Sequence, residues 1–209
     1  MLRSIAKSMR QPPAAEPPRA SSAGRRSTDE EDLDLIDRVA AGDVRAFEAL
    51  YRAYHPRLTR FLSSMTARRP IVEESLNDTM LVVWRRAGTF NRQSKLSTWI
   101  FAIAYRTACK AMRWQEAPAD EPNLDERAGE GAGPERLTSD RETRLALLRA
   151  MQLLSHEQRN VLVLTYFHDL PYADIAEIMD CPVDTVKTRA FHGRRRLRAL
   201  LTGEAGDWL

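Results

Sequence analysis

Residues 170–201 read LPYADIAEIMDCPVDTVKTRAFHGRRRLRALL. Tyr172, Ile175, Ala176 and Met179 stand at the i, i+3, i+4, i+7 spacing of a helix with one apolar face. Asp180-Cys181-Pro182 breaks that helix, because proline cannot continue one helix but suits the start of the next. The second helix begins near Val183 and turns Val186, Ala190 and Leu197 inward. Its other positions carry Lys187, Arg189, Arg194, Arg195, Arg196 and Arg198 against a single acid, Asp184. Such a surplus of cations on one helix is the electrostatic footprint of an element laid on DNA. Ala176 lets the two helices of a helix-turn-helix cross closely. At the turn, where a left-handed residue is needed and glycine is usual, Asp180 stands instead, a residue that tolerates the conformation better than most. A solvated basic helix on an ordinary bundle would explain the arginines alone. It does not explain the stripe, the small residue, the break and the basic helix in this order.

Working outward, the rest of the chain is also helical, and the fold class is all-α. Its 209 residues fit one domain or two small ones. The net charge of +3 conceals segregation, with a basic start at residues 1–28 and an acidic stretch at 115–140. Cys109 and Cys181 are far apart, which speaks against a disulfide framework or a zinc site and suits a reducing cytoplasm. The scattered histidines offer no metal ligand set, and no cofactor is expected. No run of about 18 apolar residues occurs, so no membrane insertion is expected. Residues 1–28 read as a disordered extension broken by Pro12, Pro13, Pro17 and Pro18.

Structure is expected from Asp29. Leu33, Ile36, Val39 and Ala40 make a short stripe with acids in its first turn, which suits the helix dipole. Gly42 ends that helix and Asp43 caps the next, which keeps helical spacing from Phe47 through Leu50, Tyr51, Tyr54, Leu58, Phe61 and Leu62 to Met65, with Pro56 inside it. A third helix spans Ile71 to Ala87, with Val72, Leu76, Val83 and Trp84 inward, and Gly88 ends it. The fourth, capped by Ser97, packs Trp99, Ile100, Ile103 and Ala104. On its outer surface it carries Phe101, Tyr105, Arg106, Lys110 and Arg113. Aromatic and basic side chains sharing a surface suit single-stranded DNA, while a small bundle could equally take Phe101 and Tyr105 as core. The first domain is therefore 29–114 and the flexible acidic linker 115–140. The second domain, 141–203, is a four-helix unit. It opens with Leu145, Leu148, Met151 and Leu154 and continues through the capping box Ser155-His156-Glu157-Gln158 into Val161, Leu162, Leu164 and Tyr166.

Several segments together resemble the bacterial sigma-70 family, specifically the two-domain extracytoplasmic-function (ECF) sigma factors. Ala46 to Tyr51, AFEALY, resembles the opening of the family's region 2. Glu73 to Trp84, EESLNDTMLVVW, is similar to its core-polymerase-binding helix. Leu96 to Arg106, LSTWIFAIAYR, resembles the segment that melts and reads the −10 element. Leu154 to Arg159 and the helix-turn-helix resemble region 4, which reads the −35 element.

The resemblance implies a promoter-specificity subunit rather than an enzyme. It would bind core RNA polymerase through the β′ clamp helices and the β flap, place its domains on promoter DNA and nucleate melting. An anti-sigma factor would hold it in check, with the free chain monomeric and cytoplasmic. By the resemblance, Asn77, Asp78 and Trp84 meet the clamp, Trp84 being as suited to core as to contact. The −10 strand falls to Asn91, Lys95, Thr98, Phe101, Tyr105, Arg106 and Lys110, which trap flipped bases in a pocket with no catalytic group. The −35 duplex falls to Lys187, Thr188, Arg189, Phe191, His192 and Arg195. Three departures stand out. His192 replaces a frequent arginine, Asp180 the usual turn glycine, and Ser75 an apolar residue of the clamp-binding helix. A stand-alone helix-turn-helix regulator is the alternative, and it would leave the first domain without a ligand.

Overall fold

The computed structural model describes residues 22–115 and 137–202, and among these every regular element is helical. Helix α1 is Ser22–Ala40, α2 Val44–Met65, α3 Arg69–Arg86 and α4 Leu96–Gln115, with a 3₁₀ turn at Ala87–Thr89 after α3. The second group is α5 Leu137–Gln152, α6 His156–Tyr166, α7 Tyr172–Met179 and α8 Val183–Thr202. The residues expected to form most of the N-terminal extension and linker, 1–21 and 116–136, lie outside the described residues.

Local chemistry sets the boundaries. Gly42 takes φ +86, which ends α1 without steric cost. Asp43 then caps α2, its carboxylate accepting from the backbone N–H of Arg45 at 2.9 Å and Ala46 at 3.2 Å. Ser155 and Gln158 form the reciprocal capping box of α6. Helix α2 runs through Pro56 and buries Leu50, Tyr54, Leu58, Phe61, Leu62 and Met65 on one face.

Four expectations need correction. Helix α1 starts at Ser22, ahead of Asp29, so the acids assigned to its first turn lie farther along and do not meet the positive end of its dipole. One of them, Asp32, is buried and accepts a 2.5 Å hydrogen bond from the Tyr54 hydroxyl. Ser97 does not cap α4, which already begins at Leu96. In α5 and the turn after it the buried positions are Ala150 and Leu154, with Leu147 and Met151 packed beside them, while Leu148 is 50% exposed. Met151 and Leu154 pack as expected, and Leu147 takes the place expected of Leu148.

Ser75, one of the departures from the family pattern, stands in the core. It is fully buried on α3, and its hydroxyl has no hydrogen-bond partner. An unsatisfied buried hydroxyl costs about 1–3 kcal/mol. Ser75→Ala should therefore raise the denaturation midpoint, stabilising the chain by about 1 kcal/mol, because alanine is also the better helix former.

The two groups of helices pack together. Helix α4 lies against α7 and α2 against α6, and one apolar core runs from Ile36 and Leu50 through Phe101 to Ile175 and Val186. A smaller core of Ala150, Leu154, Leu162 and Leu197 ties α5 and α6 to α8. No described helix is long and apolar enough to cross a membrane.

Candidate nucleic-acid interface

The helix-turn-helix is α7 and α8. Tyr172, Ile175, Ala176 and Met179 are all buried, together with Ile178. Asp180 adopts the left-handed conformation at φ 50, ψ 55, and the N–H of Cys181 returns to the Ala176 carbonyl at 3.0 Å. Those contacts satisfy carbonyls that the end of a helix leaves open. Gly193 was not foreseen as a packing residue. A Cβ there would stand 3.3 Å from both Gln158 Cβ and Leu162 Cδ1, so its absence sets how closely α8 approaches α6.

Lys187, Thr188, Phe191, His192, Arg195, Arg196 and Arg198 of α8 are exposed. The Phe191 and His192 rings meet edge to face at 5.3 Å. Lys187 Nζ pairs with Asp184 at 2.9 Å, and Arg189, half-buried, donates to Cys181 Sγ at 3.6 Å. Arg194 is the exception in the basic set. It is 6% exposed and donates to the Tyr172 hydroxyl at 2.8 Å. It belongs to the packing of α8 on α7 and is not part of the cationic face.

The α4 residues divide differently. Asn91, Lys95, Arg106 and Lys110 are exposed and Tyr105 is half-buried, but Thr98 and Phe101 are completely buried. Phe101 is thus not on an open outer surface in this arrangement. Its ring lies 5.3 Å from Phe61 in its own domain and 4.7 Å from His168 in the other. Thr98 Oγ1 lies 3.1 Å from Asp174 Oδ2 of α7. Trp99, expected in the core, is half-buried and stacks on Phe90 at 5.5 Å. The loop before α4 is fastened to α1 by two ion pairs, Arg92 with Asp37 at 2.6 Å and Lys95 with Asp29 at 2.5 Å. Arg92 has φ +59, a left-handed residue that the composition of the loop did not reveal.

A third feature lies between α2 and α3. Phe47, Tyr51, Asn77, Met80, Leu81 and Trp84 line an open groove of about 350 Å³. Phe47 and Trp84 meet edge to face at 5.1 Å. Val44, 66% exposed, and Leu81, 44% exposed, leave apolar surface at its margin. Asn77 is exposed in this groove, and Asp78 is exposed next to it in sequence.

Residues 50–117 match the family described as sigma-70 region 2, and residues 144–197 match sigma-70 region 4. The chain belongs to the sigma-70 family. Within it, the chain is similar to the RNA polymerase sigma-H factor of Pseudomonas aeruginosa, 28% identical over 81% of this chain and 93% of that one. It is similar also to the ECF RNA polymerase sigma-E factor of Escherichia coli K12, 27% identical over 79% of this chain and 92% of that one. Among solved structures, CnrH in complex with the cytosolic domain of CnrY matches with a TM-score of 0.62 at 21% identity, covering 83% of this chain and 99% of that one. The sigma factor RpoE in complex with the anti-sigma factor NepR from Bartonella quintana matches with a TM-score of 0.61 at 24% identity, covering 76% of this chain and 98% of that one. The family regions and sequence relatives identify an ECF sigma factor, and the solved structures share its all-helical fold.

In this sigma factor the contact between domains has its own chemistry. Arg159 donates to the carbonyls of Met151, Gln152 and Leu154, closing the end of α5. It also reaches the Ser64 carbonyl of α2 at 3.3 Å. Burial pushes the Tyr105 hydroxyl up to about 12, with the neighbouring Cys109 adding to the shift. His168 enters the first domain against Phe61 and Phe101. The docked domains therefore cover the Thr98 and Phe101 part of the α4 face, leaving Arg106 and Lys110 and most of the α8 face in solvent. Sequence spacing singled out none of Asp32, Arg159 or His168, and it placed Arg194 on the basic face. The one available signal was the oddity of a histidine and a cation at positions next to apolar runs.

Proposed function

We propose that this sigma factor binds core RNA polymerase and directs it to promoters, with α8 on the −35 duplex and α4 with its preceding loop on the unpaired −10 strand. The observation that carries the reading is the presence of both family regions in one chain, each bearing a basic helix. On α8, Lys187, Thr188, Arg189, Phe191, His192 and Arg195 take phosphates and major-groove edges, and the cations supply a salt-sensitive share of affinity. On α4, Arg106 and Lys110 hold the strand backbone with Asn91 and Lys95 from the loop. Thr98, Phe101 and Tyr105 receive bases once the domains separate. The α2–α3 groove, with Asn77, Asp78 and Trp84, docks the β′ clamp helices, and the second domain meets the β flap. Binding and melting require no bond chemistry from the chain itself. The similar structure named as a complex with an anti-sigma factor supports control by such a factor. The free sigma factor is then a cytoplasmic monomer.

The test is transcription from a genomic fragment library by purified core polymerase with and without the chain. New discrete transcripts that require the chain, sharing paired upstream elements, are expected. Sequence-specific duplex retention by the chain alone, without such transcripts, would overturn the reading in favour of a stand-alone regulator.

A further inference from the structure

His168 lies in the short connection between α6 and α7 and reaches across the domain boundary. Its ring meets Phe101 at 4.7 Å and 60°, and Phe61 at 6.1 Å and 87°. Its Nε2 is buried without a hydrogen-bond partner. Two apolar rings from the first domain thus enclose a polar atom from the second. That arrangement is tolerable for a neutral imidazole and costly for an imidazolium.

The charges around this seat sharpen the asymmetry. From α2, Arg57 and Arg60 act on His168, both unfavourably for a proton. Arg57 also stacks over Tyr54 at 4.8 Å and over Phe101 at 5.6 Å, and it interacts with Asp32 of α1. From α4 come Phe101 itself and Thr98, whose hydroxyl is engaged with Asp174 of α7. Asp169 follows His168 in the loop at φ +54 and has interactions of its own. The cations that bear on the imidazole come from the opposite domain, so a charged His168 would be repelled by the surface it plugs.

We propose that His168 is a proton-operated plug: neutral, it seals the second domain over the α4 face, and on gaining a proton it releases that face. The docking is read from packing alone and does not depend on the promoter assignment, so the two stand or fall separately.

Burial, reinforced by Arg57 and then Arg60, holds the docked imidazole down at about 4, from an ordinary 6.5. The group is depressed in the closed form. Docking is therefore complete above the ordinary value and weakens as pH falls toward the depressed one. Linkage makes the closed-to-open ratio fall about thirtyfold between pH 8 and pH 5.

Single-molecule energy transfer in the full chain, between dyes at the exposed positions Glu48 on α2 and Arg198 on α8, reads that ratio directly. Circular dichroism on the same samples follows helix content. The expected result is a growing open population at pH 5 with unchanged helix content, absent in His168→Phe, which keeps an aromatic ring in the seat. His168→Gln, neutral at both pH values, should be equally insensitive and serves if the phenylalanine variant does not fold. The proposal is overturned by a wild-type distribution that does not move between pH 8 and pH 5. Equal opening in the substituted chains, or opening that coincides with loss of helix, overturns it as well.

Discussion

Replacing Asn77 and Asp78 together with alanine is expected to weaken binding to core polymerase by about a hundredfold or more, with the fold intact. Both side chains are exposed on α3, so their loss should change unfolding free energy by no more than about 0.5 kcal/mol. The large effect comes from where Asn77 stands. It places a polar group inside an otherwise apolar groove edged by Val44 and Leu81, both well exposed for large aliphatic residues. Apolar surface of this kind next to a few placed polar groups has the composition of a protein-binding anchor. Leu81→Asp should reproduce the defect from the apolar side by putting a charge where the partner must be desolvated. Equilibrium binding to purified core polymerase, with thermal melting as the control, decides the matter. Wild-type affinity in the double variant would move the clamp contact off this groove. Retention of −35 duplex binding by the same variant would show that the defect belongs to the first domain.

What was legible in the sequence follows the range of the forces involved. Caps and turns act over a few residues, and those at Asp43, Ser155 and Asp180 formed as their chemistry requires. Apolar periodicity identified the buried faces of α2, α7 and α8, because a stripe that long has one way to face a core. In α5 it missed at one position, where adjacent leucines at 147 and 148 offered two registers and packing with Leu197 and Leu200 chose Leu147. Charged residues were read as surface by type. That fails where a distant hydroxyl accepts the cation's hydrogen bond, as Tyr172 does from Arg194, or donates one to a buried carboxyl, as Tyr54 does to Asp32. The family resemblance assigned roles to the α4 face in the working complex, whereas the free chain covers part of that face with its own second domain. The location of His168 depends on two helices far upstream, Phe61 and Phe101, and no local pattern carries that information.

Phe101→Ala should lower the free energy of unfolding by about 3–5 kcal/mol, the cost of emptying a fully buried aromatic position. The ring supports Phe61 on one side and His168 on the other, so the cavity would open at the junction of both domains. Loss of transcription in this variant would therefore say nothing about DNA. Phe101→Leu separates the two roles. Leucine keeps most of the apolar volume and should cost only about 1–2 kcal/mol in stability, but it has no aromatic face. If Phe101 stacks on a base of the melted strand, that substitution removes about 1–3 kcal/mol of binding, a loss of about 5- to 150-fold in affinity for single-stranded −10 DNA in the polymerase complex. The expected result is that loss, at a temperature where denaturant titration shows the leucine variant fully folded. Undiminished strand affinity would make Phe101 a packing residue alone. Strand capture would then rest on the cations and amide that this face already exposes, Arg106, Lys110, Lys95 and Asn91. In that case salt would weaken −10 binding steeply, because phosphate contacts screen and stacked rings do not.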